Sequence, residues 1–584
     1  MNRIEHLEDA LDIRWAQADH IQVDPVRRLT GPGLLWARTG AVVDIHFAGI
    51  NTEQLVSLWQ SHARAVLDAL DWQDEDVTFR VFQGGATLAI SAPQDQLYSA
   101  VFAVETAWHF CAADLLNVEP RSFDRMIKDL KTVTKKETNP ALRDLITAAA
   151  ANDVDILIDD DEISIGHGNG SRTWNLANVP TPNEVAWSDL HDIPLALITG
   201  TNGKTTTTRI CAAIARSAGN VVGQTTTDVV QVDDDILDRG DYSGPAGARM
   251  ALRDKRVEIA CLEVARGGIL RRGLATRRAR VAVITNIADD HLGEYGMTTL
   301  ADLAQAKFAV ARALTADGVL VLNADDPNIV DASQSISATI CWFSLVATSP
   351  QITLARTRGQ TCAYLRDGAL IFAKGNTEKL RIALKDVPIT LSGAAQHTTR
   401  NALAAICACT ALGISDEHIQ TGLTGFVSDP QNNPGRFNEF TFNGARVILD
   451  FAHNTHSVAA VCDTMASMQA KRRFLMLSQP GDHSDQVIHE VTTTALGFRP
   501  DRIVVAEIAD YLRGRKPGET PNLIKNSTLA AGFSGEHISS ASSPSVGAKL
   551  ILDEIQPGDL ALLLVLSDRE AVFEALKKDQ NEAT

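Results

Sequence analysis

The stretch LALITGTNGKTTTT, residues 195–208, restricts the fold of this chain more than any other. An apolar run that stops at a glycine predicts a buried strand, and the TTTRICAAIARS that closes the segment has helical spacing. Between them, Gly200, Thr201, Asn202 and Gly203 predict a loop whose glycines let main-chain N–H groups come close to phosphate oxygens. The helix N-terminus then points at the anion. Lys204 adds a point charge, the Thr205 hydroxyl stands where a magnesium ion would be bound, and Thr206 follows it into the helix. The loop is one turn tighter than G-x-x-x-x-G-K-[ST], because Ile198 occupies the place of the first glycine and the first glycine is Gly200. This order of strand, phosphate loop and helix predicts nucleotide binding.

Further buried runs follow the same rhythm. VEIACLEV, RVAVITNI and GVLVLN are each separated by enough chain for a helix, which predicts an α/β domain with a mostly parallel sheet over residues 191–430. A second series, RVILDFA, RFLMLS, RIVVAE and LALLLVL, alternates with helical patterns such as HSVAAVCDTMASM and predicts a doubly wound, Rossmann-like domain over residues 431–584. The turn-rich PQNNPGRFN is the joint between them. Ahead of both, AVVDIHFAG and the amphipathic DQLYSAVFAVETAWHF predict an α+β domain over residues 1–130, with a connecting segment at 131–190.

With 584 residues the chain exceeds a single core, and its 45% apolar and 22% charged composition is that of compact domains. A formal charge of -18 excludes a general nucleic-acid binder, which needs a basic face. No apolar run reaches the roughly 20 residues of a bilayer span, so no membrane partner is expected. The charged opening MNRIEHLEDALDIRWAQ lacks the apolar core of a signal peptide, and the eight cysteines form no framework of close pairs; both point to a cytoplasmic protein with reduced thiols. Nothing in the sequence decides the oligomeric state, and a homo-oligomer stays open.

Downstream of the phosphate loop come TTTD at 225–228, EVARGG from Glu263, TNIADDHLGEYG with His291, NADDP, NALAA, NPGRFN with Arg436, and DFAHN from Asp450. In order and spacing these resemble the Mur ligase superfamily, from about residue 193 to the C-terminus. The strongest likeness within it is to the C-terminal half of the cyanophycin synthetases, carried by GDYSGPAGARMALRD, EVARGGILRRGL, QPGDHSD and DRIVVAEIADYLRGRKPGE. The resemblance implies an ATP- and magnesium-dependent ligase, in which a carboxylate is activated as an acyl phosphate and an amine then displaces phosphate. It implies metal contacts from Thr205, Glu263 and His291, a carbamylated lysine at Lys307, an Arg436 that reaches the phosphates, a ribose contact from Asp450 and an adenine pair, His397 and Asn401. The asparagine usual after that histidine is Thr398 here. A helix N-cap is the plain alternative for His397 and Asn401, and solvent exposure is the plain one for Lys307.

Six arginines lie between Arg266 and Arg280; Arg266, three residues after Glu263, is placed to hold the carboxylate substrate. Asp482, Arg513, Arg515 and Glu519 are expected to face the amine, arginine or lysine first. Where the cyanophycin-like pattern has arginine after GD, this chain has His483. The opening RLTGPGLLWARTG resembles the cyanophycin synthetase N-terminal domain, and residues 139–174 resemble the start of its ATP-grasp domain, yet no space remains for the rest of that domain. The leading expectation is an amide ligase joining an amine to an aspartyl-type peptide or small acid. The alternatives are a Mur-type or folylpolyglutamate-type ligase with another acceptor, and a non-catalytic nucleotide-binding partner of a synthetase.

Overall fold

The computed structural model describes residues 5–290 and 292–582. The central domain is built on one sheet of eleven strands. Its middle is parallel: Val222–Thr225, Ile259–Glu263, Leu195–Thr199, Ala279–Ile284, Leu314–Asn323, Thr339–Ser344 and Thr361–Arg366 lie side by side in that order. Leu195–Thr199 shows why the runs are continuous rather than alternating. Ala196 and Ile198 enter the core on one face of the sheet, Leu195 and Leu197 the core on the other, so every position must be apolar. Antiparallel additions close both edges, Val229–Val232 with Asp235–Arg239 on one side and Ala369–Lys374 with Thr377–Ala383 on the other.

The C-terminal domain repeats the plan with six strands in the order Asn438–Phe442, Ala445–Asp450, Leu560–Leu564, Arg473–Leu477, Arg502–Ala506 and Ile538–Ala541, parallel apart from the first pair. The α+β expectation for the first domain holds. An antiparallel sheet centred on Gly40–Phe47 and Gly85–Ser91 packs against helices Thr52–Ala69 and Leu97–Leu116 around Trp59 and Trp108. Its boundary lies further along than residue 130, because helix Phe123–Glu137 puts Leu130 and Val133 into the same core. The connecting segment has a small core of its own, with helix Pro140–Ala151 against a three-stranded antiparallel sheet through Ile163 and Ile165.

First and central domains are joined through main-chain atoms. Thr30 N–H donates to Arg272 O at 2.8 Å and Leu274 N–H to Pro32 O at 2.7 Å. Arg80 pairs with Asp302 at 2.9 Å and donates to Gly296 O at 2.9 Å, and Arg312 reaches Leu34 O and Leu35 O at 3.1 and 3.0 Å. All eight cysteines are buried and free, as the sequence suggested. Among the described residues no helix is long and apolar enough to cross a membrane.

Candidate active site

The phosphate loop leaves the C-terminal end of Leu195–Thr199 and enters helix Lys204–Ser217. Gly203 caps the helix at φ +82°, so the turn requires glycine, and a Cβ there would come within 2.4 Å of Asn401 Oδ1 and displace that side chain. The next strand end holds the loop from behind. Asn286 Oδ1 accepts from Asn202 N–H at 3.0 Å, while Asn286 Nδ2 and Thr285 Oγ1 both donate to Asn202 O, at 2.9 and 2.6 Å. The N–H groups of the first helical turn have no intrahelical partner and face the loop opening. Lys204 Nζ rests on Thr201 O at 2.8 Å.

Glu263 ends the neighbouring strand, 1% exposed. Its Oε2 accepts from Thr205 Oγ1 at 2.8 Å and from Thr227 N–H at 3.3 Å, whereas its Oε1 is buried with no hydrogen-bond partner. Burial pushes its pKa up against the opposing pull of Lys204 and Thr205. A bare carboxylate oxygen beside a threonine hydroxyl is a fitting seat for a hard cation. Among the described residues no group of three His, Cys, Asp or Glu converges. Magnesium needs none, since it takes one or two carboxylates and fills its shell with phosphate oxygens and water. His291 lies outside the described residues.

Lys307, on helix Leu300–Phe308, is buried, not solvated. Burial, with the charge of Lys204, brings its ammonium down to about 7 against the pull of Asp290. An amine close to neutral at physiological pH is a nucleophile toward carbon dioxide. Arg266 lies near it and is engaged by Glu294 at 2.5 Å.

Two cavities meet at this loop. The first, about 440 Å³, runs over Lys204, Thr206, Asn323, Asp326, His397 and Asn401 to Arg436 and Asp450. His397 and Asn401 sit inside helix Gln396–Ala411, which starts from Ala395 without a side-chain cap, so the N-cap alternative is excluded for both. Burial, then the charges of Arg400 and His456, lower the His397 pKa to about 4, leaving it neutral. Asp450 Oδ2 and Oδ1 accept from Phe437 N–H and Ala452 N–H, both at 2.7 Å, and burial raises its pKa to about 6 despite Arg436. Arg436 lies over the Phe451 ring at 4.4 Å. The second cavity, about 1240 Å³, shares Thr201, Lys204, Thr227, Phe451 and His453 with the first and contains Arg266, Lys307, Asp482 and Arg513.

Arg515 and Glu519 line neither cavity, contrary to the expectation from sequence. Arg515 donates to Gly481 O, His483 O, Asp485 and Glu519 at 2.7 to 2.9 Å, so four of its five N–H donors are committed to shaping the 481–485 turn and to its own helix start. Asp482 is paired with Arg513.

The sequence reading passed over the contacts that join the two α/β domains. Asn202 and Asn454 exchange side-chain hydrogen bonds at 3.0 and 3.3 Å, and Asn202 Nδ2 also meets His456 Nδ1 at 3.0 Å. Asp228 pairs with Arg209 of the loop helix at 3.1 Å and with Arg569 of the C-terminal domain at 2.8 Å. Burial raises the Asp228 pKa, but Arg436, Arg569 and Arg209 together hold it below its ordinary value. TTTD was visible as a motif; its partner 341 residues away was not.

A phosphate loop at a sheet's carboxyl edge, closed by a second α/β domain across a hinge, defines a nucleotide-dependent enzyme whose substrates meet between two domains. Residues 198–409 match the Mur ligase middle domain and residues 435–564 the Mur ligase glutamate ligase domain, together more than half of the chain. The chain belongs to the Mur ligase superfamily. It is 36% identical over 362 residues to cyanophycin synthetase of a Synechocystis strain, covering 62% of this chain and 40% of that protein. With cyanophycin synthetase of a Nostoc strain the identity is 37% over 57% of this chain and 37% of that one. The chain therefore spans about two fifths of the length of these curated relatives. Among solved structures it is similar to MurF from Acinetobacter baumannii, at 20% identity and a TM-score of 0.47 over 66% of this chain and 77% of that one.

Proposed function

We propose that this chain is an ATP-dependent amide ligase, with ATP in the smaller cavity and the acid and amine in the larger. The observation that carries the reading is that the cavities meet at Lys204, so a terminal phosphate held by the loop lies against whatever the second cavity contains. A carboxylate oxygen of the first substrate attacks that phosphorus and the bond to ADP breaks, giving an acyl phosphate. The amine nitrogen then attacks the acyl carbon, phosphate leaves, and the nitrogen gives up a proton. Lys204 and the first-turn N–H groups stabilise charge on the phosphoryl oxygens in transit. Thr205 and the unpartnered Oε1 of Glu263 would hold magnesium, with His291 proposed from the resemblance as a further contact; the ion supplies charge neutralisation at the phosphates.

The burial and lowered pKa of Lys307 support a carbamate there, which would replace a cation beside Lys204 with an anion. An aspartyl-type carboxylate and a basic amine, arginine or lysine, are the substrates we favour, with Asp482 at the amine end of the cavity. The test is a phosphate-release screen that crosses acids with amines, followed by mass spectrometry of the product. ATP should yield ADP only with both present, and the product should be their sum less one water. Nucleotide turnover independent of any acid, or no turnover with any pair, would overturn the reading.

A further inference from the structure

The polar groups lining the smaller cavity are mostly engaged within the protein. Asn323 Oδ1 accepts from Asp325 N–H at 2.9 Å, Asp326 Oδ2 from Ile287 N–H at 2.6 Å, and Asp450 takes the N–H groups of Phe437 and Ala452 on its two oxygens. Thr398, standing where the resemblance has an asparagine, turns its hydroxyl to Ile389 O at 2.6 Å and Ala395 O at 3.0 Å, so its one proton stays with the main chain. Asn433 departs from this pattern. It lines the same cavity, is 1% exposed, and its Oδ1 is buried without a hydrogen-bond partner among the described residues.

The neighbours of Asn433 fix which way its amide faces. Ser428 gives its hydroxyl proton to Arg436 O, so Ser428 Oγ can only accept, and the amide atom that meets it at 3.0 Å must be the donor, Nδ2. The same Nδ2 faces Thr206 Oγ1 at 3.5 Å, on the first turn of the phosphate-loop helix. Oδ1 is left as the acceptor of a side chain that cannot flip. A buried amide oxygen without a donor is costly, and a ligand that brings one is favoured accordingly. In a nucleoside triphosphate the ionised phosphates offer no proton; the ribose hydroxyls and the base amine do. The base belongs at the His397 and Asn401 end of the cavity, whereas Asn433 and Asp450 are tied to one short loop: Asn433 O accepts from Asn438 Nδ2 at 3.0 Å, and Asp450 Oδ2 holds Phe437 N–H at 2.7 Å.

We propose that Asn433 reads the sugar of the nucleotide: its Oδ1 accepts the proton of one ribose hydroxyl beside Asp450, so that ribonucleotides are selected over a deoxyribonucleotide. This rests on ATP occupying the smaller cavity. Asp450, already carrying two main-chain N–H groups, receives the other hydroxyl. Selection of the nucleotide thereby leans on the sugar, at the joint between the two α/β domains, and less on the base, where Thr398 has no proton to give.

The experiment uses the full chain with magnesium and a responsive acid and amine, comparing ATP with 2′-deoxy-ATP and 3′-deoxy-ATP, and with inosine triphosphate as the base control. In the parent, kcat/KM should fall by about tenfold for the analogue that lacks the hydroxyl held by Asn433, through KM, the worth of one buried hydrogen bond. Asn433→Ala should bring ATP down to the level that the parent shows with that analogue, leave the analogue itself where it was, and keep the parental ratio of ATP to inosine triphosphate. Asn433→Asp, which retains an acceptor, should restore the preference for ATP over the analogue. Equal use of ATP and both deoxy analogues by the parent, or an equal loss with all four nucleotides in Asn433→Ala, overturns the proposal. Should no acid and amine turn over, the ligase reading falls separately, and calorimetric titration with ADP, 2′-deoxy-ADP and 3′-deoxy-ADP still decides: a preference for ADP over one analogue that Asn433→Ala abolishes supports the proposal, and no such preference, or no binding, overturns it.

Discussion

Removing the guanidinium of Arg569 tests whether closure of the C-terminal domain runs through Asp228. The pair is little screened, with side chains 17% and 11% exposed, and its 2.8 Å contact is a charge-assisted hydrogen bond. Such bonds contribute about 1.5–3 kcal/mol, and because Asp228 keeps Arg209 when Arg569 is lost, about 2 kcal/mol is the working value for Arg569→Ala. If the closed arrangement is the one that turns over, that energy appears as a fall of about thirtyfold in kcat/KM for the amine. Asp228→Ala should cost more than Arg569→Ala, because it leaves the buried guanidinium of Arg209 facing that of Arg569 with nothing between them. The double variant should resemble Asp228→Ala alone rather than the sum of the two. Steady-state kinetics in both substrates provide the assay, with small-angle scattering to report a larger radius of gyration in the variants. Arg569→Ala with parental kcat/KM for the amine, or strict additivity in the double variant, would refute the reasoning.

Three further outcomes are expected. Lys204→Ala should slow ADP formation by more than about a hundredfold, roughly 3 kcal/mol of phosphoryl stabilisation, read by coupled assay. Glu263→Gln keeps an acceptor for Thr205 Oγ1 but removes a buried charge, so the melting temperature in magnesium-free buffer should hold or rise while turnover collapses. Lys307 has a folded pKa of about 7 against about 10.4 when unfolded, so the unfolded chain binds the extra proton between these values. Stability should therefore climb with pH from about 7 towards 10, less so in Lys307→Met, and ¹³C-bicarbonate should give a carbamate resonance in the parent that Lys307→Met lacks.

The readable parts of this chain were those in which one segment carries the whole signal. Leu195–Thr199 and its parallel neighbours are buried on both faces and so stand out as unbroken apolar runs, and the phosphate loop is a local arrangement of glycines and a lysine. The edge hairpin Ala369–Lys374 with Thr377–Ala383 escaped notice because Thr377–Ala383 exposes most of its residues and alternates weakly. Arg515 and Glu519 were misplaced for a different reason. A charged motif announces that guanidinium and carboxylate are needed, but whether they meet a ligand or each other depends on a turn at 481–485 far away in sequence. Likewise, nothing in RRLTGPG or AVVDIHF announces that Arg27 and His46 look into a cavity whose other walls start only at Gly200.

The main-chain seam between the first and central domains has a bearing on how such enzymes could be recombined. Thr30 and Pro32 bond the backbone at Arg272 and Leu274, and Arg80 reads the carbonyl of Gly296, so the join follows the course of the chain on both sides more than its side chains. A graft of the first domain alone onto a different catalytic pair would meet a foreign backbone contour along that seam. The transplantable unit is the first domain together with the stretch from Arg266 to Arg312, whose guanidinium holds the carbonyls of Leu34 and Leu35, and exchanges between relatives should fold only when both pieces travel as one block.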